Sequence, residues 1–191
     1  FIDAFRLPFH EIREELLICG NPLVSVLCIT YNQAKYIEKT FKGFEQQRIS
    51  YPFEIVIGED CSTDETLALC KQFQAKHPDK VRVLTWEKNV GATANLLRTE
   101  RACRGKYIAL CEGDDFWIRE DKLQRQVEFL EANPEFGMIH GDAQTWSAKG
   151  LKYVVGNDPF RRENLVKLTN EKDFLLALFE GRCSVYTCTT M

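Results

Sequence analysis

From Pro22 onward, short runs of apolar and β-branched residues alternate with stretches whose apolar positions recur every three or four residues. Residues 24–29 read as a strand, and Tyr36, Ile37, Thr40, Phe41 and Phe44 give residues 33–47 a helical spacing. The same alternation predicts a strand at 53–57 and a helix at 63–75, with Leu67, Leu69, Cys70 and Phe73 available for its buried side. Pro78 stops that helix by removing an amide donor. A strand at 81–85, a helix at 92–103, a strand at 107–111, a helix at 122–131 ended by Asn133-Pro134, and a strand at 137–140 follow. Beyond them, 143–155 reads as a polar hairpin (Trp146, then Tyr153 to Val155), 171–179 as a helix and 184–191 as a last strand. The opening stretch, 1–19, is amphipathic and reads either as an extra helix or as the remnant of an upstream domain.

Strands alternating with helices of about ten residues imply parallel pairing through crossover helices, hence an α/β fold with a doubly wound, Rossmann-like, mostly parallel sheet flanked by helices. Such sheets bind ligands beyond the carboxyl ends of their strands, so the residues just after each strand carry the chemistry.

Composition narrows the classes. The chain has 191 residues, 45% hydrophobic and 28% charged, which suits one globular domain and excludes disordered and fibrous classes. A net charge of −3 gives no basic field for nucleic acid or anionic lipid. No apolar run reaches the ~18 residues a membrane span needs. Eight cysteines without CxxC spacing, and His10, His77 and His140 scattered, argue against a zinc site and for reduced, buried thiols in a cytoplasmic chain. The sequence starts at Phe1 without a methionine and stops at Met191 inside an apolar, threonine-rich stretch, which reads as cut at both ends.

Four consecutive strand ends are polar. Thr30-Tyr31-Asn32 follows the first, Glu59-Asp60-Cys61-Ser62-Thr63-Asp64 the second, Asn89, Gly91 and Asn95 the third, and Glu112-Gly113-Asp114-Asp115 the fourth. Carboxylates massed on one rim repel each other unless a cation sits among them. A hard divalent ion, Mg2+ or Mn2+, with a diphosphate substrate is the natural complement. Bland alternatives stand beside this. Ser62 to Glu65 matches a capping box, Asn89 and Gly91 fit an ordinary turn with a left-handed glycine, and Asp114-Asp115 fits a solvated turn. Phe116-Trp117 after the acids favours a shaped pocket. Neither a GxxxxGK[ST] loop nor a GxGxxG turn is present.

These residues resemble the inverting family-2 glycosyltransferases with the nucleotide-diphospho-sugar (GT-A) fold, of the type found in bacterial surface-polysaccharide synthesis. The resemblance rests on VSVLCITYNQAKYIEKTF at 24–41, FEIVIGEDCSTDET at 53–66, NVGATAN at 89–95 and GKYIALCEGDDFW at 105–117. It implies an N-terminal extension over 1–21 and a GT-A domain over 22–191 whose acceptor part is incomplete.

Carried over by position, Thr30, Tyr31 and Asn32 line the nucleotide-base pocket, Asp60 accepts a hydrogen bond from the base, Glu59 belongs to the same nucleotide-binding set, and Asn89 and Asn95 support nucleotide or sugar. Asp114 approaches the ribose or the metal. Asp115 holds the metal, Mn2+ or Mg2+, with Glu112 a further ligand in place of the family's usual Asp.

The implied activity is transfer of a sugar from a nucleoside-diphosphate sugar, usually a UDP-sugar, to a glycan or lipid-linked acceptor hydroxyl, with inversion, in polysaccharide, O-antigen or capsule synthesis. Its place is the cytoplasm, at the inner face of the membrane through parts outside this chain. The base that takes the acceptor's proton is expected after Met191, and Asp142 is the candidate within the chain. Two rival classes remain, a non-catalytic sugar-nucleotide-binding fragment and a magnesium-dependent phosphotransferase or phosphatase. The second wants a nucleophilic Asp after the first strand, where Thr30-Tyr31-Asn32 stands.

Overall fold

The computed structural model describes residues 10–11, 21–141, 143–146, 152–154 and 187–191. In chain order these form β1 (His10–Glu11), β2 (Val24–Thr30), α1 (Ile37–Glu45), β3 (Phe53–Glu59), α2 (Thr66–Lys76), β4 (Val81–Thr85), α3 (Ala92–Ala102), β5 (Tyr107–Leu110), α4 (Lys122–Ala132), β6 (Gln144–Trp146) and β7 (Lys152–Val154), with a 3-10 turn at Thr187–Thr189.

The main sheet runs β1-β4-β3-β2-β5. Its four longer strands are parallel neighbours, and β1 lies antiparallel on the β4 edge with His10 opposite Thr85. The chain walks outward from β2 through β3 to β4, and α3 then carries it back to the far side of β2. Strand order therefore reverses between β2 and β5, where such sheets open a crevice at their carboxyl ends.

Period-two alternation gives the two faces of the sheet different jobs. Val24, Val26 and Cys28 of β2, Ile55 and Ile57 of β3, and Val81 and Val83 of β4 form one apolar face, closed over by Phe41 and Phe44 of α1, Phe73 of α2 and Leu123 and Val127 of α4. Phe41 stacks on Phe73 with centroids 4.1 Å apart, and Phe44 meets Trp117 edge-on at 5.0 Å. The opposite face carries Val56 and Leu84, with Ala102 of α3 packed on them. There α3 sits very close to β3. A Cβ on Gly58 would collide with the Thr99 hydroxyl and lie 2.7 Å from Asn95 Oδ1, so no larger residue fits without pushing the helix off the sheet.

That second face also buries a charge. Glu54 is 0% exposed and accepts from Ser25 Oγ at 2.7 Å, Arg82 Nη1 at 3.2 Å, and Arg104 Nε and Nη2 at 3.0 and 2.6 Å. The Arg104 backbone amide adds a bond of 2.8 Å. Burial alone would push this carboxyl up, but the bonds from Arg104 and Ser25 outweigh it and hold Glu54 below the usual glutamate range. The network pins the start of β2 and β3 to the segment between α3 and β5.

Several boundaries differ from expectation. Helix α1 begins at Ile37 rather than at 33, and α2 at Thr66 rather than at 63, because the residues between are spent joining two loops. The expected strand at 137–140 is reduced to a single antiparallel bridge between His140 and Thr190, flanked by the mutual Ile139–Met191 backbone bonds of 2.9 Å. Residues 187–189 turn rather than extend. The hairpin forms as expected where it is described, with Thr145 opposite Tyr153. The helix expected at 171–179 lies outside the described residues, as does 1–20 except for β1. No helix among the described residues is long and apolar enough to cross a membrane.

Glu54→Gln is expected to lower stability by about 3 kcal/mol, since it leaves buried arginine charge uncompensated. Because its carboxyl is depressed in the folded state, Glu54 contributes stability above the ordinary glutamate range that is lost as pH falls through its lowered value. Denaturant melts of both proteins between pH 7 and pH 3 check this, and curves that stay parallel across that range contradict it.

Candidate functional site

The loop after β2 has no helical bonds of its own to use, so its amides reach across to the loop after β3. Asn32 N donates to Ser62 Oγ at 2.9 Å, Gln33 N to Thr66 Oγ1 at 2.8 Å and Ala34 N to Asp64 Oδ2 at 3.1 Å. Asn32, in the left-handed region at φ 52°, returns the favour by accepting from Thr63 N at 2.8 Å. The capping box expected over Ser62 to Glu65 does not form. Glu65 stands at the helix N-terminus without a side-chain cap, and Asp64 Oδ1 accepts from Thr66 N at 2.9 Å in a local turn. Ser62, Asp64 and Thr66 thus serve to join two strand-end loops. Tyr31, between Thr30 and Asn32, is left 43% exposed, its ring available to a ligand.

Behind this seam lie Glu59 and Asp60, both buried. Glu59 accepts from Ser62 N at 2.7 Å, Cys61 N at 3.2 Å and Thr85 Oγ1 at 2.9 Å, so its carboxylate shapes the loop from inside. Asp60, 2% exposed, accepts from Val90 N at 3.0 Å and Gly91 N at 2.9 Å, with Arg98 Nη2 3.7 Å away. Its own amide donates to Thr30 O at 3.1 Å. Asn89 is exposed and accepts from Gly91 N at 3.0 Å, closing the turn over Asp60. Gly91 takes φ 86°, the positive value expected of a turn glycine, but with ψ 156° it is extended rather than left-handed helical. Asn95 is buried, donating to Gly58 O at 2.7 Å and accepting from Arg98 Nε at 2.8 Å. Tyr31, Asn32 and Asn89 are therefore exposed at the rim, and Thr30, Glu59, Asp60 and Asn95 sit buried behind it.

Across the crevice, β5 ends in Glu112, Asp114 and Asp115, each offering a carboxylate oxygen within 4.8 Å of the others. The loop that presents them is held tightly. Gly113 N donates to Ile29 O at 3.0 Å, and Thr40 Oγ1 donates to the carbonyls of Gly113 at 3.0 Å and Asp115 at 2.6 Å. A Cβ on Gly113 would lie 2.6 Å from Thr30 Oγ1 and 2.5 Å from Gln33 Oε1, so the acidic loop reaches the switch point only with glycine there. Asp114 is exposed and Asp115 half-buried. Burial lifts the Asp115 carboxyl above its ordinary range and the Asp114 charge adds to this, while a hydrogen bond from the Cys188 thiol partly opposes it. Burial and the Asp115 charge in turn push the Cys188 thiol up to about 12, so it stays protonated. Three hard oxygen ligands this close, one of them uncomfortable as an anion, fit a hard divalent cation.

Asp142, the in-chain candidate for a base, lies outside the described residues. Sequence reading passed over Thr40, Gly113, Arg98 and Cys188. A glycine between acids after a buried strand was a readable sign for Gly113, and the three-residue spacing from Asn95 was one for Arg98. Nothing local marked Cys188, which comes to the site through tertiary packing, its carbonyl accepting from Trp117 Nε1 at 2.7 Å.

The family model for Glycosyl transferase family 2 matches residues 25–186. An uncharacterized protein of Mycobacterium tuberculosis is 40% identical over 112 residues, which cover 59% of this chain and 32% of the relative. TuaG of Bacillus subtilis, a glycosyltransferase named for teichuronic acid biosynthesis, is 37% identical over 111 residues, covering 58% of this chain and 42% of TuaG. Among solved structures, S. aureus TarS 1–349 in complex with UDP superposes with a TM-score of 0.52 at 26% identity, over 58% of this chain and 32% of that one. The same TarS fragment in complex with UDP-GlcNAc gives 0.51 at 26% identity over the same shares, 58% and 32%. The chain spans between 32% and 42% of the length of the sequence relatives.

Since Asp115 binds its proton more tightly folded than unfolded, its ionisation costs stability as pH rises through the window between its ordinary and raised values. Asp115→Asn is therefore expected to raise the metal-free melting temperature at pH 7, with the gain fading below about pH 4. Scanning calorimetry in chelator checks this, and an unchanged or lower melting temperature at pH 7 contradicts it.

Proposed function

This chain belongs to glycosyl transferase family 2 and has the GT-A fold, and from that premise we infer that its domain from residue 22 onward binds a nucleoside-diphosphate sugar, a UDP-sugar, and transfers the sugar to an acceptor hydroxyl with inversion. The observation that carries this reading is the trio of carboxylates within 4.8 Å of one another just after β5, on the loop whose Gly113 packs against Thr30 at the end of the adjoining β2. UDP and UDP-GlcNAc bound by TarS support the choice of uridine, and the name of TuaG supports a place in surface-polysaccharide synthesis.

In this reading Tyr31 offers its exposed ring to the base, Asp60 accepts a hydrogen bond from it, and Thr30 and Asn32 shape the floor. Asn89 borders the nucleotide. Glu59 and Asn95 act from behind, one holding the loop after β3 and the other holding α3 against β3. Asp115 and Asp114, with Glu112, would hold Mn2+ or Mg2+. Such an ion supplies charge that stabilises the departing diphosphate. Direct attack by the acceptor hydroxyl on the anomeric carbon needs a base for the hydroxyl proton, and Asp142 is the candidate this chain names for it. The acceptor is a glycan or lipid-linked glycan, and residues 1–21 are an extension to the domain.

Titration calorimetry with UDP, with and without Mn2+, tests the reading. Binding is expected to depend on metal, and Asp115→Ala is expected to weaken it by about tenfold or more. Metal-independent affinity, or unchanged affinity in Asp115→Ala, would sink it, and release of phosphate from simple esters would point to the phosphatase class instead.

A further inference from the structure

We propose that Cys188 is a positioning residue for the metal centre, its thiol donating to the Asp115 carboxylate and fixing how that side chain presents its oxygens to a divalent cation. The inference rests on the cation reading of the acidic trio above and goes beyond it, assigning the aim of Asp115 to a residue outside the acidic loop.

Two residues of that loop reach Cys188 independently. The Asp115 carboxylate accepts from its thiol, and Trp117 Nε1 donates to its carbonyl at 2.7 Å. The two contacts close a ring, from Asp115 through Phe116 to Trp117, across to Cys188 and back to Asp115. Both sides of the ring are held. On the loop, Thr40 Oγ1 donates to Asp115 O at 2.6 Å, and the Asp115 amide donates to Glu112 O at 3.0 Å. Trp117 is buried, its ring edge-on to Phe44. A Cβ on Gly43 of α1 would lie 3.0 Å from Trp117 N and 3.1 Å from Trp117 O, so the helix presses directly on this backbone. On the other side, the carbonyls of Cys188, Thr189, Thr190 and Met191 accept from four separate places. Their donors are Trp117 Nε1 at 2.7 Å, Gln126 Nε2 at 2.8 Å, Leu110 N at 3.1 Å and Ile139 N at 2.9 Å. Cys188 therefore meets Asp115 as one fixed group meeting another.

A thiol has one proton to donate, and a carboxylate has about four acceptor sites. The bond occupies one site and leaves the rest to a cation, so Asp115 is oriented without being used up. Lysine or arginine in the same place would also orient it, but their charge would repel the cation. A neutral donor orients without that cost. Asp115 is the half-buried member of the trio, where water is least able to do the same job, while Asp114 is exposed. Partners that hold a metal ligand from behind are typically worth about ten- to a hundredfold in metal affinity. Because a thiol is a weak donor, the lower end of that range is expected.

Titration of the chain with Mn2+ in the presence of UDP, read by the electron paramagnetic resonance of free Mn2+, tests this. The comparison is between wild type, Cys188→Ala, Cys188→Ser and Cys103→Ala, the last removing a thiol that lies beside Ser25 and Glu54 at the other end of the sheet. Cys188→Ala is expected to weaken Mn2+ binding by about tenfold. Cys188→Ser, which keeps a donor, should hold it within about threefold, and Cys103→Ala within about twofold, on the same reasoning about a lost orienting bond. The infrared S–H stretch of the wild type needs no variant, and decides the matter if Cys188→Ala does not fold. A carboxylate that takes a cation becomes a weaker acceptor, so the band of the thiol bonded to it should move to higher wavenumber when Mn2+ is added.

Full Mn2+ affinity in Cys188→Ala overturns the inference and leaves the metal reading standing. An S–H band unmoved by Mn2+ that the wild type binds does the same. So does Cys188→Ser binding as weakly as Cys188→Ala, or an equal loss in Cys103→Ala, which is what thiols acting by packing alone would give. A wild-type chain that retains no Mn2+ with UDP overturns both.

Discussion

Two carboxylates buried side by side at the end of β3 set the terms for the rest of the rim. Glu59 and Asp60 are 0% and 2% exposed, and charges removed from water must be met by donors or they cost several kcal/mol each. The protein meets them by calling in distant backbone. Glu59 draws in Cys61 and Ser62 from its own loop and Thr85 from the end of β4, while Asp60 draws in Val90 and Gly91 and stands near Arg98 of α3. Two adjacent residues thereby tie β3, β4 and α3 into one rigid edge.

The acids at the end of β5 are treated in the opposite way. Glu112, Asp114 and Asp115 converge within 4.8 Å of one another, and the loop bearing them is locked by Thr40 and by the fit of Gly113 against Thr30. Three carboxylates held this close on one rim offer the hard oxygen ligands that suit a divalent cation. The lifted Asp115 carboxyl is the local cost of that arrangement.

Much of this was legible in the chain because period-two and helical spacings are local. The strand at Val81–Thr85 matched its expected bounds, those at 24–29, 53–57 and 107–111 shifted at one end by one or two residues, and the one at 137–140 shrank to a single bridge. What sequence could not show was where polar side chains would spend their bonds. Ser62, Asp64 and Thr66 have the composition of a cap, yet they hold the amides of Asn32, Gln33 and Ala34, a choice made by the juxtaposition of β2 and β3. Likewise Glu59 and Asp60 looked like a matched pair facing a ligand, whereas one carboxylate turns into the loop and the other toward the next turn. Arg98 and Cys188 were invisible for the same reason, since each matters through partners 38 and 73 positions away in numbering, Asp60 and Asp115.

The central claim is that one crevice, at the reversal of strand order between β2 and β5, takes both ends of a nucleoside diphosphate. A crystal structure of the chain with UDP and Mn2+ tests it most directly. The account predicts the base against Tyr31 and Asp60 and the diphosphate, with its ion, at Asp114 and Asp115. UDP bound elsewhere on the surface, or an ion held away from these carboxylates, would contradict it.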